Sequence, residues 1–307
     1  MTPDHGGDMQ STQSFSNALT EAVLVSAADE GGRWLTEAME RIEKSADPAA
    51  DLSALSAKAR RAVGHAELGA RGPVLHTADG PVATAAWDLG TAARVALAFA
   101  AVQRIAGTGD APALVQNLYR SGDENEKVAV VCALSAFGLG EALKPIALDA
   151  GRTNSVVLFS ALAINNPFAT AHYTEHEFNQ LVLKAVFVEV PVEHVFGLEG
   201  RANAALSRMC EDYVDERMAA GRGFPPGLWL ALAPYASERA LGLMLEAVVD
   251  GDAEHRELAT EAIARRASAD AAVRSLVQNR ADMAADGRTR TAYAKVLSAT
   301  SEPPLSR

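Results

Sequence analysis

Cysteine and aromatic residues are scarce in this chain. Of its 307 residues, two are cysteines and only 6% are aromatic. Two cysteines cannot build a disulfide framework or a cysteine-rich zinc site. Few aromatic residues, together with abundant alanine, the best helix former, argue against an all-β sandwich. Cys132 and Cys210 lie within apolar helical patterns, so we expect buried, unreactive thiols and a reducing, cytoplasmic location.

Basic residues are also too few to give the chain a positive charge. The sequence has 28 Lys and Arg against 39 Asp and Glu, which gives a formal net charge of −11. A chain this acidic repels nucleic acid and anionic membrane surfaces as a whole. We therefore expect no nucleic-acid partner and interpret the charge as a means of solubility.

Long hydrophobic runs are absent as well. The longest lies near residues 95–102, between Arg94 and Arg104, and is far shorter than the roughly 20 residues needed to cross a bilayer. Residues 1–17 are polar and lack the basic start and apolar core of a secretory signal. The sequence therefore predicts a soluble protein.

Apolar residues recur at helical spacing through most of the chain. The sequence is 49% hydrophobic, which suffices for a sizeable core. Short helices on breaks of two or three residues are typical of stacked helix pairs, although no fixed-period repeat is detectable. We predict an all-α fold: an array of antiparallel helix pairs that forms a HEAT-like right-handed α–α superhelix.

Glycine, proline and polar clusters predict where the domain and its helices end. We expect a disordered tail over residues 1–16, a single helical domain over 17–300 and a second disordered tail over 301–307. The Asp-Glu-Gly-Gly sequence at 29–32 should end the first helix. Several glycines and prolines follow residue 65, so we predict a long loop there and place a candidate internal boundary at 65–86.

One motif could indicate zinc chemistry. Residues 172–176 read His-Tyr-Thr-Glu-His, which matches the H-x-x-E-H pattern of a class of zinc peptidases. That chemistry needs both histidines on one helical face, whereas Thr174 and Glu177 form a capping box that leaves His172 before the helix. The sequence has no G-x-S-x-G, P-loop or dinucleotide-binding pattern. We therefore predict no catalytic residue, no metal and no cofactor.

The most distinctive polar residues lie in a central stretch, residues 152–222. Asparagines, arginines and a lysine interrupt dense apolar sequence there. Several lie where a helix is predicted to begin, and helix N-termini expose backbone amides that attract anions. A small acidic-ligand site and a fold-stabilising network both fit this pattern. The candidate ligand-binding residues are Arg152, Asn154, Asn165, Asn166, Asn179, Gln180, Lys184, Arg201 and Asn203.

Some of these asparagines also have structural interpretations. Asn165 and Asn166 precede Pro167 and so end a helix. Asparagine tolerates the left-handed region and caps carbonyl groups, so we expect a structural role for at least one of the two. Asn203 lies where a loop enters a helical run, as an N-cap does.

Lys184 is the most informative single residue. Its segment, residues 181–188, is apolar on nearly every helical face, which predicts a largely buried helix. A buried ammonium needs a carboxylate, carbonyl groups or a ligand. Lys184 is therefore either part of an internal ion pair or a contact for an anion or carbonyl in a pocket. We expect Arg152, Asn154, Arg201 or Asn203 near the same cavity.

Several short motifs of apolar and polar residues lie between residues 87 and 217. They are Trp87, Ala93–Leu97, Arg152–Asn154, Asn165–Phe168, Asn179–Phe187, Gly197–Asn203, Asp212-Tyr213 and Glu216-Arg217. Together they resemble the EboA family of bacterial metabolite-traffic proteins over about residues 87–234. The resemblance implies a gene cluster that moves a secondary-metabolite precursor toward the periplasm. The family usually has an aromatic residue where His172 stands and a small residue where His176 stands, which weakens the zinc interpretation further.

The leading hypothesis is a non-enzymatic helical accessory protein. It would bind a small metabolite, other proteins of the cluster, or both, during biosynthesis or export. The resemblance also implies peripheral contact with the cluster's prenyltransferase-like membrane protein. Two alternatives stay open: a metal-dependent hydrolase or other enzyme with its site in residues 152–222, and a protein–protein scaffold with an apolar groove for a partner helix.

Overall fold

The protein is built mainly of α-helices. The computed structural model describes residues 5–105 and 109–300, with side chains from residue 13 onward. It is 73% helical, and the described residues contain one sheet, of two strands. The predicted all-α class is confirmed, whereas the HEAT-like superhelix stays a prediction. No helix of the described ranges has both the length and the hydropathy needed to span a membrane.

The chain divides into two compact units, residues 1–173 and 174–307. The candidate boundary at 65–86 falls inside the first of them. The helices of the first unit are α1 (His5–Ser26), α2 (Asp29–Glu43), α3 (Pro48–Val63), α4 (Leu89–Ile105), α5 (Ala111–Ser121), α6 (Glu124–Cys132), α7 (Lys144–Arg152), α8 (Val156–Ala163) and α9 (Phe168–His172).

The second unit consists of helices and short turns where the structure describes it. Its helices are α10 (Glu175–Phe187), α11 (Ala204–Ala219), α12 (Leu228–Leu232), α13 (Glu238–Asp250), α14 (Ala253–Ala269), α15 (Ala271–Met283) and α16 (Gly287–Ala299). A 3-10 turn, Ala233–Tyr235, continues directly from α12. Helix α14 packs against α12, α13, α15 and α16, so it forms the centre of this unit.

Helix α4 is the core of the first unit. Every residue from Leu89 to Ala101 is buried, and the helix packs against α1, α2, α3, α5 and α6. Phe99 contacts the rings of Phe15 and Phe137, with centroids 5.8 and 5.1 Å away. A helix with apolar residues on every side must be surrounded by other helices, which explains its central position.

The predicted loop after residue 65 contains a β-hairpin. Strands β1 (Val74–Thr77) and β2 (Gly80–Ala83) pair antiparallel, and the buried residues Leu75 and Val82 lie opposite each other. Strands of four residues carry little periodic signal. In addition, Pro81 lies within β2, and a proline argues against a strand in sequence. The loop prediction was therefore wrong for the strand residues.

Helix α1 begins earlier than the sequence suggested. It starts at His5, within the range 1–16 expected to be a tail, and Phe15 and Ser16 in that range are buried. Residues 1–4, and the second expected tail at 301–307, lie outside the described residues.

The pair Gly31-Gly32 was predicted to end a helix but lies inside one. Helix α2 begins at Asp29, so both glycines occupy its first turn. A Cβ on Gly31 would lie 2.9 Å from the Ala62 carbonyl oxygen and 3.1 Å from the Cα of Val63. The glycine is therefore needed for the close approach of α2 to the end of α3 rather than for a turn.

Candidate functional site

Arg152 and Asn154 lie at an exposed helix end. Arg152 is the last residue of α7 and Asn154 lies in the link to α8, and both are exposed. Arg152 does not lie at a helix start, because the N-cap of α8 is Ser155, which accepts a hydrogen bond from the Leu158 N–H at 3.1 Å. A helix C-terminus presents carbonyl oxygens, so the anion-binding argument does not apply to Arg152.

Asn165 and Asn166 have different structural roles. Asn165 is exposed and has a φ of +50°, in the left-handed region that asparagine tolerates. Asn166 is buried, and its amide donates to the carbonyl oxygens of Val131 and Ala161, both at 2.9 Å. Its Oδ1 accepts from the Phe168 N–H at 3.1 Å. Asn166 therefore satisfies backbone groups of α6, α8 and α9.

His172 joins helix α9 to the hairpin. Its Nε2 lies 3.0 Å from Oδ1 of Asp79 in the hairpin turn, at ion-pair distance but without hydrogen-bond geometry. Its Nδ1 lies 3.2 Å from Oε1 of Glu141, and its ring packs 4.4 Å from that of Phe168. These contacts give the histidine a structural role in the first unit.

The zinc motif is interrupted by a helix start. Thr174 accepts from the Glu177 N–H and Glu177 from the Thr174 N–H, which is the predicted capping box. His172 ends α9 and His176 lies in the first turn of α10, so the two histidines do not share one helix. In the described ranges, no group of three or more His, Cys, Asp and Glu could hold a metal ion.

Helix α10 buries one side and exposes the other. Phe178, Asn179, Leu181, Val182, Ala185 and Val186 are buried. Gln180 is exposed, and Phe187 is 75% exposed, so the helix is buried on one side and less deeply than the apolar segment 181–188 predicted. Lys184 is half-buried, and this burial lowers the pKa of its ammonium group.

Asn179 and Asn203 form a reciprocal amide pair. Nδ2 of Asn179 donates to Oδ1 of Asn203 at 3.1 Å, and the reverse bond measures 2.9 Å. Oδ1 of Asn203 also accepts from the Leu206 N–H at 2.9 Å, which confirms the predicted N-cap of α11. The amide pair thus links α10 to the start of α11.

Arg201 strengthens the same link. Its guanidinium carbon lies 4.7 Å from the ring centroid of Phe178 on α10, in range of a cation–π contact. Nδ2 of Asn203 donates to the Arg201 carbonyl oxygen at 3.1 Å. Three of the nine candidate residues, Asn179, Arg201 and Asn203, are therefore brought together, and they hold the loop of residues 197–203.

That loop forms one wall of a cleft in the second unit. The cleft has a volume of about 430 Å³, within the range of small-molecule sites. The other walls come from α12 with its 3-10 turn and from α14. Its apolar lining consists of Leu198, Ala202, Leu230, Ala233, Pro234, Tyr235, Ala262 and Ala269, and its charged lining of Glu199, Arg265, Arg266 and Asp270.

The two arginines of the cleft are consecutive residues of α14. Arg266 donates from Nη1 to the carbonyl oxygens of Ala233 and Ala236, at 2.7 and 2.9 Å. Arg265 donates from Nη2 to Oε1 of Glu261 at 2.6 Å and from Nη1 to Oε2 of Glu199 at 3.3 Å. Arg266 thus fixes the end of the α12 segment, while Arg265 connects α14 to the loop.

These arginines were not among the predicted site residues. The segment of α14 reads Glu-Ala-Ile-Ala-Arg-Arg-Ala over residues 261–267. Two adjacent arginines in an alanine-rich helix were an available signal. The contacts of the two arginines are with residues 199, 233 and 236, which are distant in the sequence, so no local pattern predicts them.

A second cavity, of about 540 Å³, lies beside an aromatic cluster of the same unit. The ring of Phe224 contacts those of Trp229 and His255, at 5.0 and 5.1 Å. Nε1 of Trp229 donates to Nδ1 of His255 at 3.0 Å, so the proton of the neutral imidazole lies on Nε2. This cavity is also lined by Glu189, Arg217, Asp252 and Glu254.

Comparison with known families decides the membership of the chain. The family model described as metabolite traffic protein EboA matches residues 15–233. The chain belongs to the EboA family. The matched range includes the loop at 197–203 and α12 but ends before α14. The cleft is therefore formed partly by the matched segment and partly by a helix outside the match. No curated protein and no solved structure matches the chain.

Proposed function

We propose that this EboA-family protein is a non-enzymatic accessory protein of metabolite traffic. It binds a small metabolite in the cleft of the second unit, during biosynthesis or export of a secondary-metabolite precursor in the cytoplasm. The observation that carries this proposal is the cleft itself. Its volume of about 430 Å³ and its largely apolar walls with a few fixed charges suit a small organic ligand.

The candidate residues of the central stretch take two roles in this proposal. Asn179, Arg201 and Asn203 support the loop that walls the cleft, and they shape the site without contributing to its lining. The exposed polar residues Arg152 and Asn154 are available to a partner protein of the same cluster. Side chains at exposed helix ends suit such contacts because no buried group has to be uncovered.

Binding in the cleft can be tested with a neutral fluorescent probe, N-phenyl-1-naphthylamine. We expect its fluorescence to rise on addition of the protein. Ala269 is an exposed cleft residue at the end of α14, so Ala269→Trp should fill the site with little effect on folding. The matched control is Ala272→Trp, at an exposed position of α15 outside the cleft.

Loss of probe binding in Ala269→Trp and its retention in Ala272→Trp supports the proposal. Equal binding by both variants, or no binding by the wild type, contradicts it. Native mass spectrometry of protein from its own host should then reveal a bound small molecule that Ala269→Trp lacks. Conversion of that molecule by the purified protein alone would show an enzyme instead.

A further inference from the structure

The two arginines of the cleft have different hydrogen-bond partners, and this difference indicates which chemical class of ligand the cleft binds. Arg266 directs its guanidinium to two backbone carbonyl groups, those of Ala233 and Ala236. Without Arg266, the buried Ala236 would lose this donor to its carbonyl oxygen, which is costly. The Ala233 carbonyl oxygen would keep only the 3.3 Å bond from the Ala236 N–H. Arg266 is therefore a structural residue of the cleft wall.

Arg265 is held differently. Its side chain is 33% exposed, and the 2.6 Å bond to Glu261, one helical turn earlier, fixes one amino group of the guanidinium. The other amino group faces Glu199, whose side chain is 64% exposed on the loop, at 3.3 Å. Exposed ion pairs contribute about 0–1 kcal/mol, so the Glu199 contact is the weaker and the more easily replaced of the two.

Between these groups the cleft is apolar. Leu198, Leu230 and Ala262 line it, and such walls favour a ligand with an apolar body. An anionic group at the edge of this body could take the place of the Glu199 carboxylate on Nη1 of Arg265. Arginine suits this exchange because its planar fork binds a second acceptor while the first stays in place.

We propose that the ligand of the cleft is an amphipathic organic anion that docks on Arg265 by displacing Glu199. This inference rests on the proposed function, since it names the chemical class of the ligand for the same site. Glu199 then acts as an internal competitor that closes the loop over the empty cleft. Binding releases the loop from α14.

The test compares two probes that share one ring system. N-phenyl-1-naphthylamine is neutral, and 8-anilinonaphthalene-1-sulfonate carries a sulfonate on the same anilinonaphthalene body. For the sulfonate, we expect Arg265→Gln to weaken binding about tenfold or more, as for the loss of a charge-assisted hydrogen bond. Glu199→Gln should strengthen it several-fold, because the competitor is removed. Neither change should alter the Kd of the neutral probe more than about twofold.

Two controls distinguish docking of the sulfonate on Arg265 from a general effect of protein charge and from binding outside the cleft. Arg256→Gln removes one positive charge from an exposed position of the same helix outside the cleft, so it should leave both Kd values unchanged. Ala269→Trp should abolish binding of both probes. An unchanged ratio of the two Kd values in Arg265→Gln and Glu199→Gln, or an equal effect of Arg256→Gln, overturns the anion proposal while neutral-probe binding still supports the cleft. Failure of both probes to bind overturns both proposals.

Discussion

Asn179 of α10 and Asn203 at the start of α11 exchange two side-chain hydrogen bonds, at 3.1 and 2.9 Å. Neither residue lines the cleft. The pair nevertheless fixes the point at which the loop of residues 197–203 ends and α11 begins, because Asn203 is also the N-cap. Residues that resemble a binding motif in sequence therefore act indirectly here, because they fix the position of the loop that forms one wall of the cleft.

Replacement of Asn203 should therefore destabilise the fold. We expect Asn203→Ala to lower the free energy of unfolding by about 2 kcal/mol, about 1 for the N-cap and about 1 for the amide pair. Asn203→Asp keeps the acceptor for the Leu206 N–H and should lose about half as much. Urea denaturation measures both values. A double-mutant cycle with Asn179→Ala should give a coupling of about 1 kcal/mol, and strictly additive losses would disprove the pairing.

Neighbouring glycines of α2 should respond to alanine in opposite directions. A Cβ on Gly31 would lie 2.9 Å from the Ala62 carbonyl oxygen, whereas a Cβ on Gly32 meets nothing nearer than 3.7 Å. Alanine in a helix interior is favoured over glycine by up to about 1 kcal/mol, so Gly32→Ala should raise the Tm. Gly31→Ala should lower it, because the backbone clash costs about 1–3 kcal/mol. A higher Tm for Gly31→Ala would show that α2 and α3 do not approach so closely.

The same glycines show which features of the fold a sequence can predict. Helix caps are local, and Thr174 and Asn203 cap helices as predicted. Gly31 was interpreted as a helix stop, since the contact that requires it comes from Ala62, 31 positions later. The residues around each cap were sufficient to predict it. The close contact between α2 and α3 joins residues far apart in the sequence, so no local pattern predicts it.

Asn165 and Asn166 are adjacent but should differ sharply on substitution. Asn166→Asp replaces the amide that donates to the Val131 and Ala161 carbonyl oxygens with a buried carboxylate, so we expect a loss of about 2–4 kcal/mol. Asn165→Gly relieves a left-handed backbone with φ of +50° and should be neutral or stabilising by up to about 1 kcal/mol. Guanidinium chloride denaturation measures both. A destabilised Asn165→Gly would point to a side-chain role for Asn165.

The candidate site was predicted only in part. The loop at 197–203 stood out because its polar residues interrupt apolar sequence, and it forms one wall of the cleft, although its predicted ligand-binding residues Arg201 and Asn203 do not line that cleft. Arg265 was missed, since its site role depends on Glu199, which is 66 residues away in the chain. Lys184 was expected in a buried helix, yet the helix ends in the exposed Phe187. Apolar composition therefore overstated the burial of α10.

The two cysteines should be unreactive in the folded protein. Burial raises the pKa of Cys132 and of Cys210 to about 12, which leaves about one thiolate in ten thousand molecules at pH 8. Because the thiolate is the nucleophile, labelling by a disulfide reagent should be about a thousandfold slower than for a free thiol. We expect less than one labelled thiol per chain within minutes in buffer and two in denaturant. Rapid labelling of native Cys132, the half-buried one, would show that its surroundings open readily.

The raised pKa of these thiols also makes the protein sensitive to alkali. The folded state holds both thiols neutral, whereas the unfolded chain ionises them near an ordinary thiol pKa of about 8.5. Their contribution to stability is therefore fully present below about pH 8.5 and is lost as the pH rises toward 12. Between pH 8 and 10 the Tm of the wild type should fall faster than that of Cys132→Ala/Cys210→Ala. Parallel Tm curves would mean that the thiols ionise in the folded protein as readily as in the unfolded chain.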